Sequence, residues 1–341
     1  MGVKRFLNAG TGGTIFGLAA IVLAPLLVKE YQLDILIFLL INILLVTSYR
    51  YNTLTGEWSL IHVVMMGVGA YTSALLTKEL GFSFWIALPL AAVSTAAIAF
   101  VLSFPLFRMK AFYFLIGSFA AGEAIRLSWE RFRIPFGGPK GLKHIPGPEL
   151  GGLDFYDPVV YYIFTAIVVV VCLFAMYRLE KSRIGFTLQA IHWKDVLAES
   201  VGVNARMYRS IAFVIASFFA AIAGGLLGHY IGTVNPDRFG LGFMLMVLVW
   251  TIVGGTATFA GPIIGVVLLT VCEEMLREFQ EYRPLFYGLI LIVTIRFLPH
   301  GVEALLPKAK GLLESRFGKP AETGVAAGGI PQPAAIDRDS P

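Results

Sequence analysis

Long, unbroken runs of apolar residues divide this 341-residue chain and limit what it can fold into. Each run has roughly the 17 to 25 residues that an α-helix needs to cross a hydrocarbon core. Backbone polar groups in lipid must be bonded internally, so only helices and closed barrels span a bilayer. Barrel strands would show short segments of alternating polarity, which these continuous runs lack. The sequence therefore predicts an all-α fold, a polytopic bundle of transmembrane helices.

The apolar runs predict about ten spans. The composition, 57% hydrophobic and 14% charged, agrees with a membrane protein. The predicted spans cover approximately residues 13–28, 33–49, 59–77, 84–104, 111–128, 158–177, 210–231, 241–255, 260–277 and 284–299. The first run follows Lys4 and Arg5, as in a signal peptide, but no small-x-small cleavage site follows it. We therefore interpret it as an uncleaved span.

One polar segment, residues 181–209, separates two of these apolar runs. It reads KSRIGFTLQAIHWKDVLAESVGVNARMYR, which predicts a helix that lies outside the bilayer against a soluble partner. We expect one helix from about 186 to 201, bracketed by two glycines. Its apolar positions, which would enter a groove in that partner, are Leu188, Ile191, Val196 and Leu197. The candidate coupling residues are Gly185, Ala190, Ile191, Leu197 and Gly202.

The distribution of Lys and Arg indicates the orientation of the bundle. If segment 181–209 is cytoplasmic, alternation of the spans places both termini in the cytoplasm and most Lys and Arg residues in inner loops. The basic cluster from Arg131 to Lys143 is the exception, and it lies in a longer loop, where the rule weakens. We expect a multi-pass membrane protein with both termini cytoplasmic. The net charge of +5 fits this orientation better than nucleic-acid binding.

The chain divides into a transmembrane domain, residues 1–307, and a Gly-, Pro- and Ala-rich stretch, 308–341, predicted to be a flexible tail. Both cysteines, Cys172 and Cys272, lie inside apolar runs and are interpreted as packing residues. The sequence has no G-x-x-x-x-G-K-[ST] phosphate loop and no H-E-x-x-H or G-x-S-x-G signature. We expect no enzyme activity and no cofactor or metal bound by this chain. If the chain pumps a solute, the energy must come from a partner or an ion gradient.

Two glycine-containing interruptions, residues 55–62 and 254–262, are candidates for a substrate pathway. Transporters commonly bind substrate where helices are discontinuous, because unwound backbone offers polar groups. The alternatives are an ordinary loop or close helix packing through small residues. Both interruptions fall on the same predicted side, so an inverted-repeat argument does not support them. The candidate residues are Gly56, Glu57, Ser59 and His62 in the first and Gly254, Gly255, Thr256 and Thr258 in the second.

Ionisable residues inside the apolar runs are few, and each is a functional candidate because charge in hydrocarbon is costly. Glu123 joins the pathway candidates for this reason. Arg126 lies three residues later on the same helix face, so an ion pair between the two is the alternative. For His62, a packed or capped histidine is the alternative to a ligand or proton relay.

Short motifs follow one another in a characteristic order between about residues 33 and 307. The strongest block comprises Ser182-Arg183-Ile184-Gly185, Ala190-Ile191, Gly202-Val203-Asn204, Ala212-Phe213-Val214-Ile215 and Ala223-Gly224. Further motifs are Gly67-Val68-Gly69-Ala70-Tyr71, Gly122-Glu123, Gly137-Gly138-Pro139, Pro236-Asp237 and Gly261-Pro262. Together they resemble the permease subunits of branched-chain amino-acid ABC importers, specifically the M-type subunit.

The resemblance implies a second homologous permease subunit, two cytosolic ATP-binding subunits and a periplasmic or lipid-anchored solute-binding protein as partners. ATP would bind to the partner subunits, and segment 181–209 would transmit their motion to the spans during alternating access. The implied substrate is a branched-chain or related amino acid. Importers of urea or short-chain amides share the permease family and remain an alternative. So does a stand-alone secondary transporter that uses His62 or Glu123.

Overall fold

The computed structural model of the chain describes residues 30–150, 153–277, 283–298 and 301–304. The predicted span 13–28 and the predicted tail 308–341 lie outside the described residues.

Eleven α-helices form within the described residues. They are α1 (Glu30–Thr53), α2 (His62–Lys78), α3 (Phe84–Leu106), α4 (Phe112–Arg131), α5 (Pro158–Glu180), α6 (Arg183–Trp193), α7 (Asp195–Ser200), α8 (Ala205–Ile231), α9 (Leu241–Gly254), α10 (Gly261–Met275) and α11 (Arg283–Phe297). The strands are β1 (Leu142–Lys143), β2 (Glu149–Leu150), β3 (Leu153–Asp154) and β4 (Thr233–Val234), and 3-10 turns lie at Gly138–Lys140, Pro236–Phe239 and Val302–Ala304. Every predicted span from 33–49 onward coincides with one helix.

The all-α membrane fold is confirmed, but the number of spans is not. Within the described residues, five helical stretches are long and apolar enough to cross a membrane, namely Tyr31–Thr53, Phe84–Leu106, Pro158–Glu180, Ala205–Ile231 and Pro236–Gly254. Helices α10 and α11 have 15 residues each. A helix of that length measures about 23 Å, less than a hydrocarbon core of about 30 Å. Helix α4 is long enough, but its second half carries Glu123, Arg126, Glu130 and Arg131.

Helix α8 lies at the centre of the bundle and packs against α1, α2 and α3. Its contact with α2 is an approach of backbone to backbone. A Cβ atom added at Gly69 would lie 2.3 Å from the Cα of Ala221, and one added at Gly224 would lie 1.9 Å from the carbonyl oxygen of Met66. In lipid, where van der Waals packing holds helices together, small residues make such close approach possible.

The ends of α8 are fixed by local sequence. Asn204 precedes the helix, and its side-chain oxygen accepts a hydrogen bond from the Met207 N–H at 3.1 Å. Such a cap satisfies one of the backbone donors that a helix start leaves unpaired. Gly232 ends the helix with a φ of +70°, a conformation that glycine adopts without strain.

A strand pair joins the loop after α4 to the segment after α8. Strands β1 and β4 are antiparallel, with Leu142 opposite Val234. A Cβ atom at Gly141 would lie 2.0 Å from the carbonyl oxygen of Val234, so the two backbones touch. This pair lies at the C-terminal end of α8, and the polar segment 181–209 lies at its N-terminal end.

The polar segment forms two helices, α6 and α7, instead of the single helix predicted from 186 to 201. The break falls at Lys194, whose φ of −158° and ψ of 105° are extended. The Lys194 N–H still donates to the Ala190 carbonyl oxygen at 3.3 Å, but its extended dihedral angles turn the following residues away from the axis of α6. Gly202, at φ +88°, then turns the chain toward α8.

The backbone contact between α2 and α8 predicts a sharp difference between two glycine-to-alanine substitutions. Gly224→Ala inserts a methyl group against the Met66 carbonyl, so we expect the free energy of unfolding to fall by about 1–3 kcal/mol. Gly242→Ala, in α9, meets nothing within 4 Å and should be neutral or slightly stabilising. Thermal unfolding of both variants in the same detergent measures the difference. Equal melting temperatures would contradict the described packing.

Candidate functional site

The polar segment presents large apolar side chains that lie outside the candidate spans. These residues, called the docking surface, are Phe186 (58% exposed), Trp193 (83%), Val196 (78%), Leu197 (64%) and Val201 (76%). Ala190 and Gly202 are exposed as well. Water-exposed apolar groups of this size in one segment are typical of a surface that another protein covers.

Two residues predicted to enter a partner's groove are instead turned inward. Leu188 is fully buried in the core of the bundle, and Ile191 is 1% exposed. Ile191 packs against Ala198 of α7 and Ala205 of α8, which joins the polar segment to the central helix. The hypothesis that Leu188 and Ile191 themselves contact a partner is therefore corrected. They hold the segment in place, and the docking surface lies on its other side.

Gly185 permits the sharp connection between α5 and α6. A Cβ atom at this position would lie 2.0 Å from the carbonyl oxygen of Glu180, the last residue of α5. Only glycine avoids that overlap without a shift of the backbone. The first turn of α6 therefore rests directly on the end of α5.

The first interruption touches the polar segment at two points. A Cβ atom at Gly56 would lie 3.1 Å from Nδ1 of His192. The carboxylate of Glu57 lies 3.3 Å from Nε of Arg209, whose Nη2 donates a hydrogen bond to Asp195 at 2.6 Å. Burial raises the pKa of the Glu57 carboxyl, whereas the nearby charge of Arg209 lowers it. Glu57 thus belongs to an ion cluster between the α1–α2 loop, α7 and α8.

The remaining candidates of the first interruption pack between α1 and α2. The Ser59 N–H donates to the hydroxyl of Tyr49 at 3.1 Å. His62 is fully buried, with Nε2 3.0 Å from the Ser48 hydroxyl and 3.2 Å from the Leu45 carbonyl oxygen. Its ring also lies 5.2 Å from that of Tyr49. These contacts match the packed histidine that the sequence left open as an alternative.

The second interruption, the loop between α9 and α10, is held from two sides. On one side, Arg50 Nη1 donates to the Thr256 carbonyl oxygen at 2.5 Å. On the other, Glu303 accepts hydrogen bonds from the N–H groups of Ala257 and Thr258 at 2.6 and 2.9 Å and from the Thr258 hydroxyl. Gly254 and Gly255, where α9 ends and the loop begins, are buried. The backbone donors at 257 and 258 are thus already used within the chain.

Sequence comparison supplies the family. Residues 31–295, well over half of the chain, match the model of a family described as "Branched-chain amino acid transport system / permease component". The chain belongs to this permease family. This confirms the resemblance that the sequence motifs indicated.

Among the relatives of this permease is the high-affinity branched-chain amino acid transport system permease protein LivM of Escherichia coli K12. The two are 31% identical over 93% of this chain and 81% of the relative. LivM of Salmonella typhimurium is 30% identical over the same shares. The permease protein LivH of Escherichia coli K12 is 30% identical over 36% of this chain and 40% of its own length. No solved structure matches the permease.

Glu123 of the permease lies in the ion pair that its spacing predicts. Arg126 Nε donates to both carboxylate oxygens of Glu123 at 3.0 Å, and its Nη1 lies 3.2 Å from Glu130 and 3.7 Å from Asp237. Glu123 also borders a narrow cleft where α4 meets the starts of α2 and α9. The cleft is lined by Leu60, Val64, Phe119, Gly122, Glu123, Phe239, Gly240 and Leu241. It brings the first interruption and Glu123 together.

Sequence reasoning missed the most buried charged side chains among the residues that the structure describes. Arg50 is 1% exposed, and its Nε and Nη2 donate to Glu180 Oε2 and Oε1 at 2.9 and 2.8 Å. Glu180 and Glu303 are each 4% exposed. One feature of the sequence could have indicated the pair of Arg50 and Glu180. The two residues carry opposite charges and lie at the ends of apolar runs that are predicted to end on the same side of the membrane. Nothing in the sequence indicated Glu303 as a partner of the 254–262 interruption.

Proposed function

We propose that this permease forms, with a second homologous permease subunit, the membrane pathway of an ABC importer for branched-chain amino acids. Two cytosolic ATP-binding subunits bind and hydrolyse ATP, and a periplasmic or lipid-anchored solute-binding protein delivers the substrate. The permease itself carries out no chemistry. The observation that supports this proposal most directly, beside family membership, is the docking surface on segment 181–209.

The docking surface is suited to a groove in a soluble ATPase. Burying one exposed Leu- or Phe-sized side chain contributes about 1.5–3 kcal/mol, so five such residues favour association strongly. The surface is also firmly mounted, because Ile191 and Leu188 anchor its inner side in the bundle. A rigid mount transmits displacement of the segment instead of absorbing it. We place this surface in the cytoplasm of a bacterial cell, and we place both termini on the same side.

The cleft beside Glu123 has a volume of only about 10 Å³, room for about one water molecule, so it would have to open to admit a substrate. The groups around it are complementary to a zwitterion. Glu123, Glu130 and Asp237 each lie within 4 Å of the Arg126 guanidinium, and of the three Glu123 lines the cleft, where its carboxylate favours an ammonium group. Helix α9 begins at the same cleft without a side-chain cap. Its first N–H groups carry the partial positive charge that favours a carboxylate. Neutral urea or a short-chain amide would gain less from these groups, so we place a branched-chain amino acid first.

Transport by the reconstituted complex tests the function. The proteoliposomes contain both permeases and the ATP-binding subunits and are supplied with the binding protein. They should take up radiolabelled leucine only when ATP is present on the side of the membrane where the ATP-binding subunits lie. Vesicles that lack the ATP-binding subunits serve as the control. Calorimetric titration of the binding protein with leucine, isoleucine, valine and urea measures which of these solutes the system selects. Uptake and tight binding of urea, with no response to leucine, would reverse the order of substrates.

Leu197→Arg tests the docking surface. A guanidinium placed there must lose water on association, so we expect binding of the ATP-binding subunits to fall about tenfold or more, corresponding to at least 1.4 kcal/mol. Ala190→Arg should also reduce ATP-driven uptake. Glu199→Arg is the matched control, since it adds the same side chain at an exposed polar position of α7. The measurement is co-purification at a series of salt concentrations. Equal retention by Leu197→Arg and the control would argue against this surface.

Cysteine labelling tests the orientation. In a Cys172→Ser, Cys272→Ser background, Lys194→Cys should react with an impermeant thiol reagent only from the cytoplasmic side, and Lys140→Cys only from outside. Both positions are exposed, and they lie at opposite ends of the bundle. Right-side-out and inside-out membrane vesicles provide the two sides. Reversed labelling at both positions would overturn the cytoplasmic placement of the docking surface.

A further inference from the structure

A continuous series of short contacts links the polar segment to the α9–α10 loop, and we propose that it carries the segment's motion into α9 and α10. The members of this series, called the relay, are Gly185, Glu180, Arg50, the backbone of residues 255–258 and Glu303. The inference rests on the proposed function, because partner ATPases must move the segment. It assigns Arg50, Glu180 and Glu303 as positioning residues, away from the cleft that Glu123 borders.

The first contact of the relay joins α6 to α5. A Cβ atom at Gly185 would lie 2.0 Å from the Glu180 carbonyl oxygen and 2.7 Å from the Glu180 Cα. No flexible side chain lies between these two backbones to absorb a shift. Because packed interiors are dense and hardly compressible, a movement of α6 displaces Glu180 as well.

The second contact joins Glu180 to Arg50 at the end of α1. Two parallel hydrogen bonds, of 2.8 and 2.9 Å, fix the planar guanidinium against the carboxylate in one orientation. The side chains of Arg50 and Glu180 are 1% and 5% exposed. Water therefore cannot replace a lost partner, and breaking a buried pair leaves an uncompensated charge. The pair either moves together or separates at high cost.

The third contact joins Arg50 to the loop that precedes α10. Its Nη1 and Nη2 donate to the carbonyl oxygens of Thr256 and Ala257 at 2.5 and 3.3 Å. On the other side, Glu303 accepts from the N–H groups of Ala257 and Thr258. The peptide groups between the cation and the anion are polarised in the same sense, which strengthens both sets of hydrogen bonds. The loop is held at both its donors and its acceptors.

Glycines join the loop, the start of α10 and the 301–304 turn into one tight unit. A Cβ atom at Gly301 would lie 2.5 Å from the backbone N of Gly255, and one at Gly254 would lie 2.1 Å from the Gly261 carbonyl oxygen. Gly255 has a φ of +104°, which other residues rarely adopt. A displacement passed on by Arg50 therefore reaches the end of α9 and the start of α10 together.

A purely stabilising ion network differs from a relay in one measurable respect. Members of a relay act in series, so a second break adds little to the loss of transport caused by the first. If the contacts stabilise the protein independently, the fold-loss of transport in the double variant equals the product of the two single losses. A double-mutant cycle on coupling distinguishes the two cases.

The experiment uses the assembled transporter in proteoliposomes and measures leucine uptake per ATP hydrolysed. The variants are Glu180→Gln, Glu303→Gln and their combination, which preserve side-chain size. We expect each single variant to lower uptake per ATP about tenfold, and the double variant to stay within about twofold of the weaker single variant. Glu274→Gln, an exposed carboxylate in the last turn of α10, is the control and should match the unmodified protein.

A second readout follows the loop directly. Ala260→Cys, at an exposed position, should change its rate of thiol labelling when ATP is added, and Glu180→Gln should abolish that change. This readout needs no substrate, so it tests the relay even if the unmodified transporter takes up no leucine. Absence of leucine uptake by the unmodified transporter would count against the proposed function and not against the relay. If Glu180→Gln does not assemble, loss of the labelling change in Glu303→Gln provides the same support.

Three results would overturn the relay. One is a roughly hundredfold loss in the double variant, the product of the two single losses. Another is a leucine-to-ATP ratio in both single variants equal to that of Glu274→Gln. The third is ATP-dependent labelling of Ala260→Cys that persists in the glutamine variants.

Discussion

The contact between the backbones of α2 and α8 determines where most of the other elements can lie. Glycines at 69 and 224 let the two helices approach until only a hydrogen atom fits between them. With α8 fixed in this way, Arg209 in its first turns meets Glu57 and Asp195, and Ala205 receives Ile191 of the polar segment. The surface that we assign to the ATPases is therefore mounted on the helix at the centre of the bundle.

Apolar length and periodicity predict the local structure well, because each helix depends on residues close in sequence. Every predicted span within the described residues lies on a helix, and the pair of Glu123 with Arg126 forms at its expected spacing of three residues. The number of crossings could not be derived in this way. A short helix such as α10 reads as a span in a hydropathy profile, yet its length falls below the thickness of a bilayer.

The contacts that sequence reasoning missed join residues far apart along the chain. Arg50 and Glu180 are separated by 130 positions, and Arg50 and Thr256 by 206. No periodicity relates such residues, so only the packed fold brings them together. The sequence predicts that the interruptions offer free polar backbone, but backbone donors in a membrane protein are generally paired within the protein. In the second interruption Glu303 supplies that pairing. Two predicted docking residues, Leu188 and Ile191, face inward, because α6 carries apolar residues on both sides and the sequence did not indicate which side is buried.

The length of α8 has a consequence for how the two faces of the membrane communicate. Its 27 residues measure about 40 Å, which spans the full hydrocarbon thickness with no proline to bend it. One end adjoins the polar segment, and the other continues into the strand pair that holds the loop after α4. If a helix of this length tilts as one body by about 5° about its midpoint, each end shifts by nearly 2 Å in opposite directions, a displacement typical of helix movements in allosteric proteins. Such a tilt would widen one side of the bundle while it narrows the other.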